Sequence, residues 1–394
     1  MDTEFSNVCF FGIYGHNQDE ALRTGLDAHD VSVSEVQVEV RSVAEAKEAR
    51  RLPIRTMRGT MAWFADAPRW AFPILVLGGL FVHVVAMIAV AISNHRTLRE
   101  TDALVVPHMG DTSVLVARPI AAILGVPLVY FSHNGLYLTL VENRGIYPKT
   151  SIAGRLLKWL DVLTHRWSDA VVVFSEESGD RFAETMDVPR SRYVVMYIKC
   201  VEANFDVAPD PGIDPDVDVL YWGNFHPHHG PQTMVEAAGR LPEYEFAFVG
   251  ESDKRPPVQA RAEELDADNV SFPGFLSLQA LKRYILSADV VLGPVGANPQ
   301  TEFTIGTKVA EAAYLKKAIL VGDNQAVNEV FDHLDAAYLS TPGDPDALAG
   351  GVGMLAEDAD LRRRLESGAY DVYERRFSSE RAGSRLIEIL EDVS

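Results

Sequence analysis

The sequence predicts an α/β fold of two doubly wound domains in series, each a parallel sheet with helices on both faces, and three observations predict it. Short apolar, strand-like runs alternate with helix-like stretches along almost the whole chain, a pattern that makes strands parallel and leaves helices to cover them. The alternation stops and restarts once, across Phe205 to Asp218, where three prolines, one glycine and five aspartates read as a connection. With 394 residues, the chain also exceeds the roughly 250–300 residues at which single cores stop growing.

The elements follow in order. Asn7 to Gly12 reads as a buried strand, Gly12 to Asn17 as a glycine-containing turn, Asp19 to Ala28 as a helix and Val31 to Val40 as a second strand. Ala103 to Pro107, Leu128 to Ser132 and Ala170 to Ser175 continue the sheet, with helices over Thr112 to Leu124 and Ala153 to Trp167. After the connection come strands at Val219 to Trp222, Glu245 to Val249, Val270 to Phe272, Val290 to Gly293 and Ala318 to Val321. The expected division is 1–205, 206–375, and a C-terminal helix over 376–394 packing back towards the first domain. In such sheets ligands sit beyond the carboxyl ends of the strands, so the site is expected in a cleft between the two domains.

Composition narrows the function classes. Acidic residues number 56 against 36 basic, 27 of them Arg and 9 Lys, giving a net charge of −20. That balance argues against nucleic acid as a partner, which needs clustered cations, and it suits a protein kept soluble in a salt-rich cytoplasm. Cys9 and Cys200 show no metal or disulfide spacing. The N-terminus lacks the basic and apolar stretch of a secretory signal, so a cytoplasmic protein is expected.

Trp70 to Ile92 interrupts the pattern with 23 residues whose only strongly polar member is His83, enough to span a bilayer. A single crossing would separate the first two strands from the rest of their sheet, which must complete its own pairing. The segment is therefore expected to dip into the inner face of the membrane, aided by the preceding stretch 41–69, whose seven basic and three acidic residues favour anionic head groups. Detergent, or deletion of 70–92, is expected to release the protein.

Several segments carry a family resemblance. "GNFHPHHGPQTMVEAA", "YEFAFVG", "NVSFPGFLSLQALKRYILSADVVLGP" and "GTKVAEAAYLKKAILVGDNQAVNEVF" in the second half, and more loosely "VPHMGDTSVLVARPIAAILGVPLVYFSHNGLY" in the first, resemble the family 4 glycosyltransferases, the group 1 set. The resemblance implies the GT-B fold, two Rossmann-like domains facing a cleft, and retaining transfer of a sugar from a nucleoside diphosphate donor. No cofactor and no essential metal is implied. With the apolar segment, a lipid-linked saccharide or polyprenyl or dolichyl phosphate is the expected acceptor.

Carried over residue by residue, Glu311 matches the family glutamate that accepts the ribose hydroxyls, and a carboxylate can accept two at once. Lys308, one helical turn earlier, could reach the diphosphate as a point charge. Gly223, Asn224, Gly274, Phe275 and Thr307 complete the expected nucleotide site, and Gly296 and Glu302 a sugar or diphosphate loop. His133, ending a strand in "FSHNGLY", matches the family histidine near the donor sugar. Gly12, Gly15 and Asp111 are placed on the acceptor side. His226, His228 and His229 match no standard metal site.

The chain also departs from the pattern. The family usually has Arg after the glycine at 223 and Lys before the glycine at 230, where this chain has Asn224 and His229. His229 is then expected to share the catalytic work with His133 and Lys308, and to matter more at low pH, where an imidazole is charged. The family's paired glutamates are also out of register, with Phe at 303 and Glu at 302. Two rivals stay open: a nucleotide-sugar epimerase of the same fold, which would need acid/base carboxylates in the cleft that the sequence does not identify, and, because of the departures, an inactive, membrane-bound nucleotide-sugar binding protein. The oligomeric state is not legible.

Overall fold

The computed structural model describes residues 3–14, 17–39, 72–107, 112–132, 135–143 and 145–394. The chain divides into two compact units, one of 1–173, 179–195 and 383–394, the other of 174–178 and 196–382. Each is built on a six-stranded, all-parallel sheet.

In the first unit β1 (Asn7–Tyr14), β2 (Ser32–Glu39), β3 (Ala103–Val106), β4 (Leu128–Phe131), β5 (Ala170–Val173) and β6 (Tyr193–Val195) stand in the order β2-β1-β3-β4-β5-β6. The order reverses between β1 and β3, so the topological switch point lies at their carboxyl ends. Helix α1 (Asn17–Asp27) links β1 to β2. Its Gly25 lies so close to Gly383 of the C-terminal helix that a side chain at 383 would overlap the Gly25 backbone.

The opposite face of this sheet carries α2 (Phe72–Ser93), then α3 (His95–Arg99), α4 (Val114–Leu124), α5 (Ile152–Trp167) and α6 (Glu176–Met186). Met87, Ala91, Leu98, Ala117, Ala121, Leu157 and Phe182 from these helices meet Cys9 and Phe11 of β1 in one core. The apolar run 70–92 is thus largely helix α2, and part of that helix belongs to the protein interior. Met87 and Ala91 are buried and Val84, Ala86 and Val90 pack beside them, while Phe81, Val82, Val85, Ile88 and Ile92 face outward and are exposed. Among the described residues no helix is long and apolar enough to cross a membrane. The core contacts of Met87 and Ala91 also correct one expectation, since deleting 70–92 would open the sheet's cover and not merely free the protein from lipid. The basic stretch 41–69 lies outside the described residues.

In the second unit β7 (Val219–Trp222), β8 (Phe246–Val249), β9 (Val270–Gly274), β10 (Val290–Leu292), β11 (Ala318–Gly322) and β12 (Tyr338–Ser340) are ordered β12-β11-β10-β7-β8-β9. This is the 3-2-1-4-5-6 arrangement of dinucleotide-binding sheets, with its switch point between β7 and β10. Helices α7 (Pro231–Ala238), α8 (Arg255–Glu264), α9 (Leu278–Ser287) and α10 (Thr307–Tyr314) cover it, followed by α11 (Gln325–Asn328), α12 (Pro345–Glu357) and α13 (Ala359–Val372), before α14 (Ser379–Val393), most of which belongs to the first unit. β7 and β10 are buried along their whole length, as strands covered on both faces must be.

Candidate functional site

At the second unit's switch point, β7 ends in Trp222 and the chain turns through Gly223 at φ +145°. A side chain there would sit 3.2 Å from the Tyr221 hydroxyl and 3.3 Å from Lys308 Nζ. The neighbouring strands end alike, β8 before Gly250 at φ +135° and β9 at Gly274, φ +81°. The three glycines stack edge to edge. The Gly250 amide donates to the Gly274 carbonyl at 2.8 Å, and a Cβ on Gly250 would overlap the Gly223 carbonyl oxygen. Replacing Gly250 by alanine therefore meets both a left-handed φ and a backbone collision, and is expected to cost about 3 kcal/mol; thermal unfolding of the variant checks this.

Lys308 and Glu311 both come from α10, which starts after Gly306 at φ +91°. Three residues apart, they share one face of the helix. Glu311 Oε2 accepts from the Trp222 indole N–H at 3.0 Å. Burial pushes the Glu311 carboxyl above the usual carboxylate range, opposed by the Trp222 hydrogen bond and the charge of Lys308. Lys308 is buried, with Nζ 4.6 Å from the centroid of the Tyr221 ring and 3.1 Å from His229 Nδ1. Burial lowers its amine to about 7, with Glu311 acting against the fall.

His229 closes the short turn Pro227–His229 ahead of Gly230. Its Nδ1 is also 2.8 Å from the Tyr221 hydroxyl. Burial holds its pKa far below the ordinary histidine value, and the Lys308 charge and the neighbouring His228 and His226 push the same way. These influences oppose the histidine cation expected at low pH, since burial and the lysine beside it both favour the neutral imidazole, whose contribution is then an N–H. His228 is likewise lowered, to about 4, by burial and the same neighbours. Among the described residues no group of three or more His, Cys, Asp or Glu side chains is placed to hold a metal ion.

The remaining second-unit positions fall around this cluster or behind it. Gly230 and Gly296 pack backbone to backbone, the Val295 amide donating to the His229 carbonyl at 3.0 Å, so Gly296 serves first as the seat of the histidine turn. Thr301 donates to the His228 carbonyl at 3.1 Å, securing the same turn. Phe275, 84% exposed, stands just past Gly274 at the strand edge. Asn224 is exposed and its carbonyl accepts from Ser252. Thr307 opens α10, and Glu302 is an exposed carboxylate in the turn Thr301–Phe303. Sequence reasoning missed Tyr221 and Trp222, since both read as ordinary strand residues. Only their place at the carboxyl end of the first strand of a nucleotide-type sheet could have drawn attention to them.

In the first unit the switch point falls at Gly12, φ +141°, where an added Cβ would lie 3.0 Å from the Ser113 hydroxyl and 3.8 Å from the Pro107 ring. Ser113, just ahead of α4, is 3.1 Å from His83 Nε2 on the inward side of α2. Burial lowers His83 to about 4, so it is neutral there. Gly15, Asp111 and His133 lie outside the described residues. The residues flanking 133–134 are held firmly: Ser132 Oγ is 2.9 Å from His165 Nε2, His165 Nδ1 is 3.0 Å from the Tyr193 hydroxyl, and the Tyr137 amide donates to Asp161 at 2.8 Å.

Comparison with known proteins adds to this geometry. The family described as glycosyl transferases group 1 matches residues 208–372 and the one described as glycosyltransferase family 4 matches 36–197. Alpha-D-kanosaminyltransferase of Streptomyces kanamyceticus is 22% identical over 368 residues, 88% of this chain and 89% of its own. Among solved structures, sucrose-phosphate synthase of Thermosynechococcus elongatus superposes with TM-score 0.69 at 14% identity, covering 98% of this chain and 99% of that one. Anabaena HepE in complex with UDP gives 0.63 at 16%, covering 98% and 100%.

Proposed function

We propose a donor site and an acceptor for a chain that belongs to the family 4, group 1, glycosyltransferases and is, as such, a retaining enzyme with nucleoside diphosphate sugars as donors. The donor binds at the second unit's switch point, its ribose on Glu311 and its diphosphate by Lys308, His229 and the backbone amides after Gly223. Phe275 offers an exposed ring to the base. The observation that carries this reading is the convergence of Glu311, Lys308, His229 and three strand-ending glycines on one sheet edge. Charge develops on the departing diphosphate, and N–H groups and a cation fixed beside it lower the barrier. In the first unit His133 serves the donor sugar, and Gly12, Gly15 and Asp111 the acceptor.

The acceptor is lipid-linked, and the chain works at the inner face of the cell membrane. Two features support this. The outward stripe of α2 is apolar, and its inward His83 touches Ser113, which borders Gly12 at the first unit's switch point. Next to α2 packs α4, and next to α4 packs α5, whose outer surface sets Ile152, Trp159 and Trp167 among the exposed Arg155, Lys158 and Arg166. Tryptophans and cations interleaved beside apolar side chains suit an anionic lipid surface.

The test is to incubate the purified protein, at low and at high salt, with labelled nucleoside diphosphate sugars, UDP-glucose first, and a membrane lipid extract. The expected product is a glycosylated lipid identified by mass. Label found only in an epimerised nucleotide sugar, or in a water-soluble product, would overturn the acceptor assignment.

A further inference from the structure

With Asn224 and His229 standing where two cations are usual, the second unit's switch point holds a hydrogen-bonded group of three in their place, Tyr221 and Lys308 buried and His229 half-buried. His229 Nδ1 lies within hydrogen-bonding distance of both the Lys308 amine, 3.1 Å, and the Tyr221 hydroxyl, 2.8 Å. An imidazole nitrogen offers one lone pair or one N–H, never both. When Lys308 is an ammonium with three donors, Nδ1 must be the acceptor, so the ring proton is on Nε2 and a second charge on the ring is shut out. The Tyr221 ring lies under the same amine, and its hydroxyl holds the imidazole plane.

We propose that Tyr221, His229 and Lys308 form a single-charge diphosphate clamp, in which Lys308 and Tyr221 fix His229 as a neutral Nε2–H donor and donor binding draws one proton onto Lys308. Resting on the donor site proposed above, it adds the protonation state of that site and a role for Tyr221 as a positioning residue. The groups facing Lys308 are Tyr221 from β7, His229 with His228 and His226 behind it from the Pro227–His229 turn, and Glu311 on its own helix. No carboxylate comes within salt-bridge distance of Lys308 among the described residues, so the diphosphate supplies the missing anion. Burial brings the free amine to about 7, and two phosphate charges beside it move it back up. Above pH 7 the free amine is then mostly neutral and takes up a proton when a donor binds.

The experiment is calorimetry of the full chain with the glucose esters of UDP, GDP, ADP and dTDP, whose diphosphates do not titrate in this range, in buffers of different ionisation enthalpy. At pH 8 the expected uptake is close to one proton, falling towards none at pH 6. Affinity should weaken by about tenfold per pH unit above the pKa, the consequence of one linked proton. Tyr221→Phe keeps the ring, and should lose about tenfold in affinity with the proton uptake intact. Lys308→Met should lose the uptake altogether and, since it no longer buries an amine, melt no lower than the parent. In parallel, nitrogen-15 spectra of the histidines, assigned by His229→Gln, should show His229 neutral and Nε2-protonated down to pH 5, and should show its pKa rising in Lys308→Met. Binding at pH 8 without proton uptake, or a His229 protonated on Nδ1 in the parent protein, overturns the clamp. If none of the four donors binds, it is the donor reading that fails, and the histidine spectra alone decide the clamp.

Discussion

Replacing Glu311 by alanine raises the donor dissociation constant by about ten- to a hundredfold, the effect of losing hydrogen bonds to a charged group worth roughly 1.5–3 kcal/mol. The variant also strands the Trp222 indole N–H, whose partner is Glu311 Oε2, and an unsatisfied donor in a half-buried setting has its own cost. Glu311→Gln separates the two effects. Its side-chain carbonyl can still accept from Trp222, so the fold is expected to keep its melting temperature, yet the amide cannot accept both ribose hydroxyls as a carboxylate does. Calorimetry with the best-binding donor, beside a thermal melt, reads both quantities. Glutamine and alanine variants that bind like the parent would remove Glu311 from the nucleotide site. Lys308 complicates the pH dependence, since a carboxylate and an amine on one helix face oppose each other's burial shifts. The comparison therefore belongs at one fixed pH.

Much of this architecture was legible in the sequence because parallel strands, covered on both faces, are short apolar blocks that stand out from the helices between them. Val219–Trp222 lies where expected, and the other named strands shift by a few residues at most at either end. The two that escaped notice, Tyr193–Val195 and Tyr338–Ser340, are edge strands of three residues each, partly exposed; such runs carry neither length nor continuous hydrophobicity. The candidate site divides in the same way. Glu311 and Lys308 were visible through the family resemblance of the segment around them, their spacing adding only that they share a helix face, and the glycine at 223 because a strand ran into it. Trp222 and Tyr221 were not, since hydrophobic strand residues disclose nothing of a polar atom at their tip. The lowering of His229 was not visible for a related reason: it comes from burial and from Lys308, 79 residues away in sequence, and only the fold brings them together. Similarly, the apolar run 70–92 reads as uniformly hydrophobic, and its division into a buried line through Met87 and Ala91 and an exposed one through Phe81 and Ile92 is set by which side the sheet occupies.

That division makes the membrane reading testable without breaking the fold. Changing Phe81, Val85, Ile88 and Ile92 together to glutamine removes all of the described exposed stripe but Val82 and leaves Met87 and Ala91 in the core. Glutamine is a good helix former, so α2 should persist and the circular dichroism and melting temperature should stay close to the parent's. Burying a whole side chain of this size gains about 1.5–3 kcal/mol, and these four are between 44% and 69% exposed, so roughly half of that remains to be gained in lipid. The four together amount to about 3–6 kcal/mol, a partition ratio of roughly two to four orders of magnitude at about 1.4 kcal/mol per decade. The parent is therefore expected to sediment with phosphatidylglycerol vesicles and to stay bound in concentrated salt, because the Debye length falls to about 3 Å at 1 M and removes the attraction between exposed basic residues and head groups while leaving the apolar term. The quadruple variant should remain in the supernatant at every salt concentration, with donor affinity unchanged and transfer to a lipid-linked acceptor lost. A parent protein that never sediments, or a variant that sediments like the parent, would show that the stripe is not what meets the membrane, and a parent released by salt alone would give that role to the basic residues of α5.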